Sequence, residues 1–362
     1  MASSSEKLLL LLLRQGSCSR ADLAKSMHLS RPAVSSLVDG LIRQGILRES
    51  GCGVSSGGKP PILLTLEPDR FASIGIDIGH ESLLRGVLCN AAGTPVVTRE
   101  ITHDNRFETI LEQAVRLVGE LKDAAAAPVC GVGAAIAGQI DHASNEIVYC
   151  ANFPLKRRNF AGLLSERTSL PVLLENRART AALWEYYFGA AGRTEDFIFI
   201  SAERGIGTAI YLGGRLLQGR SGAAGEIRTL CVPSPDGRSL LPIEQAMSEK
   251  FLLEYAGGNP DAASLAEAWK RREPGAVTAI GYLSDAAAYV ITFLTMLLDP
   301  AQIVLGGRFR DLGTEFAAGL EARLAVEPVR PLAITISESG RIGAALGAAL
   351  KVIIENINKE TA

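Results

Sequence analysis

The sequence predicts an α/β protein with a small helical head followed by two similar α/β lobes. Three observations predict it. Two helix starts lie close together within residues 19–45. A pattern of strand, Gly-bearing turn, strand, turn, strand occurs at SIGIDIGHESLLRGVLCNAAGTPVVTREI (73–101) and again at FIFISAERGIGTAIYLGGRLLQG (197–219). Helix-forming runs fill the space between and after these two meanders, as in paired α/β lobes around a cleft. The 362 residues suffice for two or three domains. We place them at 1–68, 70–182 and 183–340, with the run 341–362 packing back on the middle one.

The first element is the apolar run Leu8–Leu13. It is too short for a secretory core, follows Glu6, and lacks a small-residue cleavage site, so it reads as a buried first helix. Ser19 and Asp22 have the spacing of a capping box, and Leu23, Ala24 and Met27 then share a face. Leu29 sits in a tight turn. Ser30 can cap the next helix, with Pro32 tolerated in its first turn. Val34, Leu37, Val38 and Leu41 follow helical spacing, and Gly45 ends the run. The opposite face carries Arg31, Ser35, Ser36 and Arg43.

Two short helices on a tight turn describe a helix-turn-helix, although an ordinary αα-hairpin has the same pattern. The next segment favours the former. ILRES and PILLTLEP are strand-like and flank the loop GCGVSSGGKPP, which makes a wing. Lys59 in that loop either lies along a minor groove or is solvated. Residues 1–61 hold 8 Lys/Arg against 4 Asp/Glu, while the remainder holds 29 against 35. A basic head on an acidic body points to a polyanion partner for the head.

In the body, helices are expected at about 107–124, 176–189, 243–256, 262–271, 275–298 and 341–357, with a further strand at AQIVLGGRF. The six cysteines are scattered, with no CxxC pair, which argues for free, mostly buried thiols and a reducing compartment. No segment reads as long enough to span a membrane.

These residues resemble a known family. GIDIG at 75–79, IAGQID at 136–141, ANFP at 151–154, LLENRARTAALWE at 173–185, GIGTAI at 205–210, GAAGEI at 222–227, IVLGG at 303–307 and ALGAAL at 345–350 occur in the order found in the ROK family (repressors, open reading frames and kinases). The resemblance implies a duplicated actin-like ATPase fold, sugar-kinase-like, in two lobes. With the winged head, essentially the whole chain resembles a ROK transcriptional repressor of the xylose-repressor/N-acetylglucosamine-repressor type.

The resemblance also says what chemistry to look for. A ROK kinase has Glu-Asn-Asp at a strand end, and the Asp takes the proton from the sugar hydroxyl. Here Asn176 is followed by Arg177, which cannot act as a base near neutral pH. The first phosphate loop, Asp-x-Gly-Gly-Thr in kinases, reads DIGHES, so Asp77 and Gly79 remain while His80 and Glu81 replace a glycine and a hydroxyl. The second, Gly-Thr-Gly, reads Glu203-Arg204-Gly205. The family's zinc site needs a His and three cysteines. Arg228 stands at the His position and Cys231 is alone, so no metal is expected.

What survives is the sugar-facing set. By resemblance Asn176, Glu226 and Glu244 bind hydroxyls, and Gly138 lines the same pocket. Arg177 and Arg228 are expected near Glu226. They either hold an anionic ligand through a planar guanidinium or pair internally with Glu226 or Glu244. Arg179 is expected in solvent.

The expectation is therefore a cytoplasmic, non-enzymatic DNA-binding regulator of carbohydrate metabolism, most simply a repressor. Its partners are double-stranded operator DNA, a sugar, sugar phosphate or sugar acid, and a second copy in a homodimer or homotetramer. No cofactor is required. A ROK kinase with an accessory head, and a regulator controlled by a protein partner, are the alternatives.

Overall fold

The Ser3 hydroxyl accepts the Glu6 N–H and the Glu6 carboxylate accepts the Ser3 N–H, which starts helix α1 (Ser4–Gln15). Leu8, Leu9, Leu12 and Leu13 share its buried face, so the apolar run is a core helix. Strand β1 (Cys18–Ser19) leads into α2 (Arg20–Met27), which begins with the Ser19–Asp22 capping box that the spacing predicts. Helix α3 (Arg31–Arg43) starts at Ser30 with Pro32 in its first turn and buries Val34, Val38 and Leu41. Gly45 (φ +67°) then turns the chain. Strands β2 (Leu47–Cys52) and β3 (Ile62–Leu66) pair antiparallel, and β1 joins the free edge of β3. The computed structural model describes residues 3–54, 60–80, 82–150, 155, 158–192, 194–203, 205–257, 262–324 and 332–361. Residues 55–59 at the wing tip, with Lys59, lie outside them, as do Glu81, the ANFP stretch and Arg204.

The chain forms two compact units. The first comprises Met1–Tyr187 and Ile342–Ala362, and the second Phe188–Arg341. After the head, the first unit continues with a meander of β4 (Ala72–His80), β5 (Leu83–Asn90) and β6 (Pro95–Thr102). Helix α4 (Phe107–Asp123) crosses to β7 (Val129–Ile136), which pairs parallel with β4. The hairpin β8 (Gly138–Asp141)/β9 (Glu146–Cys150) and helix α5 (Phe160–Thr168) lead to β10 (Val172–Asn176), parallel to β7, and then to α6 (Arg177–Phe188). Parallel neighbours require such crossovers. The sheet order is β10-β7-β4-β5-β6.

One face of this sheet buries α4 and α5. The other receives the C-terminal helix (Gly343–Thr361) at very close range. A Cβ at Gly75 or Gly133 would run into the carbonyls of Ala345 or Ala348. The same helix packs Leu346, Leu350, Ile353 and Ile357 into a cluster with Leu8, Leu9, Leu12 and Leu13 of α1. The head and the first sheet therefore share one hydrophobic element.

The second unit repeats the plan. Strands β11 (Phe197–Ala202), β12 (Ile206–Leu212) and β13 (Arg215–Leu216) make the meander. A hairpin of β14 (Cys231–Pro233) and β15 (Leu240–Pro242) follows, then α7 (Ile243–Ala246), α8 (Glu249–Tyr255), α9 (Ala262–Lys270) and α10 (Pro274–Leu298). Strand β16 (Gln302–Gly307) pairs parallel with β11, and α11 (Phe309–Leu324), broken at Gly313, leads to β17 (Ala333–Ile336), parallel to β16. The order β13-β12-β11-β16-β17 has the sense pattern of the first sheet, two antiparallel steps and two parallel ones. This is the duplication that the repeated meander predicts.

Several expectations need correction. The run 243–256 is two helices, because the Ser248 hydroxyl accepts the Phe251 N–H and starts α8 afresh. Helices α5 and α11 were not foreseen. Helix α10, at 25 residues, is long and apolar enough to cross a membrane by length and composition, contrary to the reading above. Its apolar window is 56% buried, as a core helix of the second unit. All six cysteines are free. Three are buried, but Cys52 and Cys231 are exposed.

Candidate functional site

The strand-end corner of the first unit is built by Asn176. Its Oδ1 accepts the N–H groups of Ala178 (2.8 Å) and Arg179 (3.2 Å), so the side chain starts α6. Its Nδ2 donates to the Gly138 carbonyl at 2.9 Å and fixes the β8 hairpin against the strand end. Gly138 acts through that carbonyl. A Cβ there would meet the Tyr149 carbonyl.

Arg177 turns back over the first loop. Its Nε donates to Asp77 Oδ1 at 2.8 Å and Oδ2 at 3.1 Å. The Asp77 side chain is 1% exposed and that of Arg177 17%. The Arg177 side chain lies against Gly79, filling the space a Cβ at that glycine would need. Arg177 is thus engaged by a carboxylate of its own unit, one other than the Glu226 or Glu244 named in the expectation. The partner is the surviving loop carboxylate, which the sequence reading left out of the site.

Arg179 is corrected outright. It is 2% exposed rather than solvated, and its Nη1 lies 4.0 Å from Glu175 Oε1. The first turn of α6 points it back at the end of β10. Glu175, itself buried, also accepts Lys351 Nζ of the C-terminal helix at 2.8 Å and its neighbour's N–H at 2.8 Å. His142 Nε2 stands 3.5 Å from the same carboxylate. Burial pulls the His142 imidazole below its ordinary pKa. Glu175 and Asp141 oppose that shift, and Lys351 and Arg179 reinforce it.

The six sequence-predicted effector residues divide equally between the units. Gly138, Asn176 and Arg177 stand together in the first, whereas Glu226, Arg228 and Glu244 belong to the second. Within the second, the Glu244 N–H donates to the Arg228 carbonyl at 3.4 Å, and the Glu244 carboxylate lies against Gly205 of the second loop. Glu226 is exposed in a turn set by its own N–H donating to Ala223 (3.1 Å).

Sequence reasoning missed Arg308. It follows Gly306-Gly307 at the end of β16, and its N–H donates to the Ala202 carbonyl at 2.7 Å. Its guanidinium donates to the Glu203 carbonyl of the second loop and, at 3.3 Å, to Glu249. The side chain is 7% exposed, and burial lowers its pKa against the pull of Glu249, Glu203 and Asp311. An arginine directly after a strand-end Gly-Gly was the available signal.

Where the family's zinc loop would stand is the β14/β15 hairpin. Its tip is closed by Ser234 Oγ donating to Asp236 Oδ1 (2.7 Å) and by mutual Ser234–Ser239 bonds. Tyr282 donates to the Pro233 carbonyl below it. Among the described residues no group of three or more His, Cys, Asp or Glu could hold a metal. Cys231 is exposed and Arg228 offers no lone pair, so the residues do not fit zinc.

In the head, Arg31, Ser36 and Arg43 are exposed on α3 and Ser35 is half-buried at the edge of that face. Arg20 is not available to a ligand in the same way, since it pairs with Asp39 at 2.7 Å. An exposed N-terminal helix face ahead of a two-stranded wing matches a winged helix-turn-helix.

The comparisons agree with this geometry. The ROK family model matches residues 73–353, and a MarR family model matches residues 7–53. The chain is 27% identical over 343 residues to a protein of Caldicellulosiruptor sp. (strain Rt8B.4) provisionally named a xylose repressor, covering 86% of this chain and 84% of that one. It is 30% identical to the xylose repressor of Bacillus subtilis (strain 168), over 62% of this chain and 59% of the relative. It is 26% identical to the DNA-binding transcriptional dual regulator NagC of Escherichia coli (strain K12), over 60% and 54%. Among solved structures, a ROK family transcriptional regulator described as a homologue of the E. coli MLC protein superposes with a TM-score of 0.77. It has 20% identity and covers 99% of this chain and 97% of that one. A ROK family glucokinase from Streptomyces griseus, solved with glucose and AMPPNP, superposes with a TM-score of 0.68 at 25% identity, over 77% and 98%.

Proposed function

Because the chain belongs to the ROK family, we propose that it is a DNA-binding transcriptional repressor of carbohydrate metabolism whose body takes a sugar as effector. The observation that carries this reading is the strand-end arginine. Arg177 stands where a kinase keeps its carboxylate base, and its guanidinium is occupied by Asp77. A group that stays protonated takes no proton from a hydroxyl. The body therefore binds and does not phosphorylate, and it needs no metal or cofactor.

In this reading α3 enters the major groove. Arg31, Ser35 and Ser36 address base edges or nearby phosphates, and Arg43 and Lys59 hold the backbone. Asn176, Gly138 and Arg177 shape the effector corner of the first unit, and Glu226, Arg228 and Glu244 are the candidate hydroxyl ligands within the second. The Arg177 guanidinium is already engaged by Asp77, which supports an uncharged sugar over a sugar phosphate or sugar acid.

A helix-turn-helix reads one half-site, so two heads are needed. A homodimer, or a homotetramer built from it, is supported by α10. Its residues Tyr289 (49% exposed), Phe293 (43%), Met296 (82%) and Leu297 (64%) offer one apolar face to a second copy. The protein acts in the cytoplasm on double-stranded operator DNA.

The test pairs two assays on purified protein. A mobility shift on DNA upstream of the gene is run with D-xylose, D-glucose, N-acetyl-D-glucosamine and their phosphates. ADP release from ATP is followed with the same sugars. Specific retardation, changed by an uncharged sugar and unaccompanied by ADP release, is expected. Sugar-dependent ADP release without specific DNA binding would sink the reading.

A further inference from the structure

Helix α6 touches both ends of the proposed switch. Its N-terminus is the effector corner, where Asn176 caps it and holds the Gly138 carbonyl, and where Arg177 holds Asp77. Its C-terminal turn enters the core of the DNA-binding head, since Trp184 belongs to the cluster formed by Leu8, Leu9, Leu12 and Leu13 of α1. There Arg14 of α1 stacks 3.9 Å above the Tyr186 ring and donates from Nη1 to the Tyr186 hydroxyl at 2.7 Å. Tyr186 is 9% exposed and packs edge-on against Tyr187.

Between these ends the helix has little freedom to bend. Ala178 to Ala182, Trp184, Glu185 and Tyr186 are buried, so it is enclosed almost all round. Midway, the Thr180 carbonyl lies so close to Gly347 of the C-terminal helix that no Cβ fits between them. Twelve residues at 1.5 Å each make a rod of about 18 Å. A closely packed rod passes a displacement on from one end to the other. The chain also leaves the first compact unit directly after this contact, at Tyr187–Phe188.

We propose that α6 is the element that couples the effector corner to the DNA-binding head, with Arg14 and Tyr186 as the residues that transmit its position. The proposal rests on the repressor reading and names how that site is regulated. Asn176 sets the helix at one end, and the paired Arg14–Tyr186 contact reads it at the other. The hydrogen bond and the ring stacking both constrain the angle between α1 and α6, so a tilt of α6 acts on the head that α1 supports.

A double-mutant cycle tests this without knowledge of the effector. Asn176→Ser keeps a capping oxygen but loses the Nδ2 bond to Gly138. Arg14→Met keeps the length of the side chain but loses charge and donor. The two positions sit at opposite ends of the rod, too far apart for contact, so independent effects would multiply. The readouts are operator affinity by mobility shift and amide exchange across α1–α3. The expected result is that Asn176→Ser changes both in the wild-type background and changes neither by more than about twofold with Arg14→Met. Tyr186→Phe, which keeps the ring and loses only the hydroxyl bond, should reproduce this if Arg14→Met fails to fold. Effects of Asn176→Ser that are the same in all backgrounds overturn the coupling and leave the repressor reading standing. Coupled amide exchange in a protein with no specific DNA binding keeps the coupling and removes the repressor reading.

Discussion

The two units carry similar sheets, and each has an arginine laid across its candidate phosphate loop. The chemistry of the two contacts differs. In the first unit Arg177 comes from the start of α6 and meets a carboxylate, Asp77, that is 1% exposed. In the second Arg308 comes from the end of β16 and meets a backbone carbonyl, together with Glu249, whose side chain is 36% exposed. The first is a charge pair in which each member depends on the other. The second is a buried donor whose carboxylate partner reaches water. The same occlusion of a loop has thus been reached from non-equivalent strands, the fifth of one sheet and the fourth of the other.

The difference fixes the order of what should happen when each contact is broken. Arg177→Met leaves the Asp77 carboxylate buried and unpaired, which should cost about 3–5 kcal/mol in urea unfolding. Adding Asp77→Asn removes the stranded charge and should restore most of that loss, because exchanging a whole buried pair for neutral groups is close to neutral. A double variant no more stable than Arg177→Met would mean that Arg177 stabilises by packing alone. Arg308→Met should cost less, about 1–3 kcal/mol, since it strands mainly the Glu203 carbonyl while Glu249 turns to solvent. If Arg308→Met proves the more damaging of the two, the contrast between the loops is wrong.

Much of this was legible in the chain. The Ser19–Asp22 capping box, the Val34–Leu41 face, the wing strands and the repeated meander follow from local spacing, and local spacing survives folding. The absence of an aspartate after Asn176 was legible because a single residue, Arg177, occupies that position. What stayed hidden was pairing across long sequence distances. Asp77 and Arg177 are 100 residues apart, and Lys351 reaches Glu175 over 176. The burial of Arg179 was misjudged for the same reason, as its environment comes from a strand end and from the C-terminal helix. Arg308 was missed because a lone charge after Gly-Gly has no periodicity to mark it. Helix α11 was hidden by Gly313, whose φ of +75° breaks the helical pattern.

The smallest effect separates the units by pH. All four histidines precede residue 188, so the second unit contains none. Dependence on histidine between pH 5 and 7 therefore belongs to the first. His142 faces Glu175, Lys351, Arg179 and Asp141, and burial sets its folded pKa below the ordinary 6.5. The folded state then binds the proton less readily than the unfolded chain. Its contribution to stability is complete above pH 6.5 and is lost as pH falls below that value. His142→Gln should flatten the fall in melting temperature between pH 7 and pH 5. The effect should be small, because the imidazole is 26% exposed and the Glu175 carboxylate favours its charged form. Parallel melting curves for variant and wild type across that range would show that the histidine does not set the acid limit of the first unit.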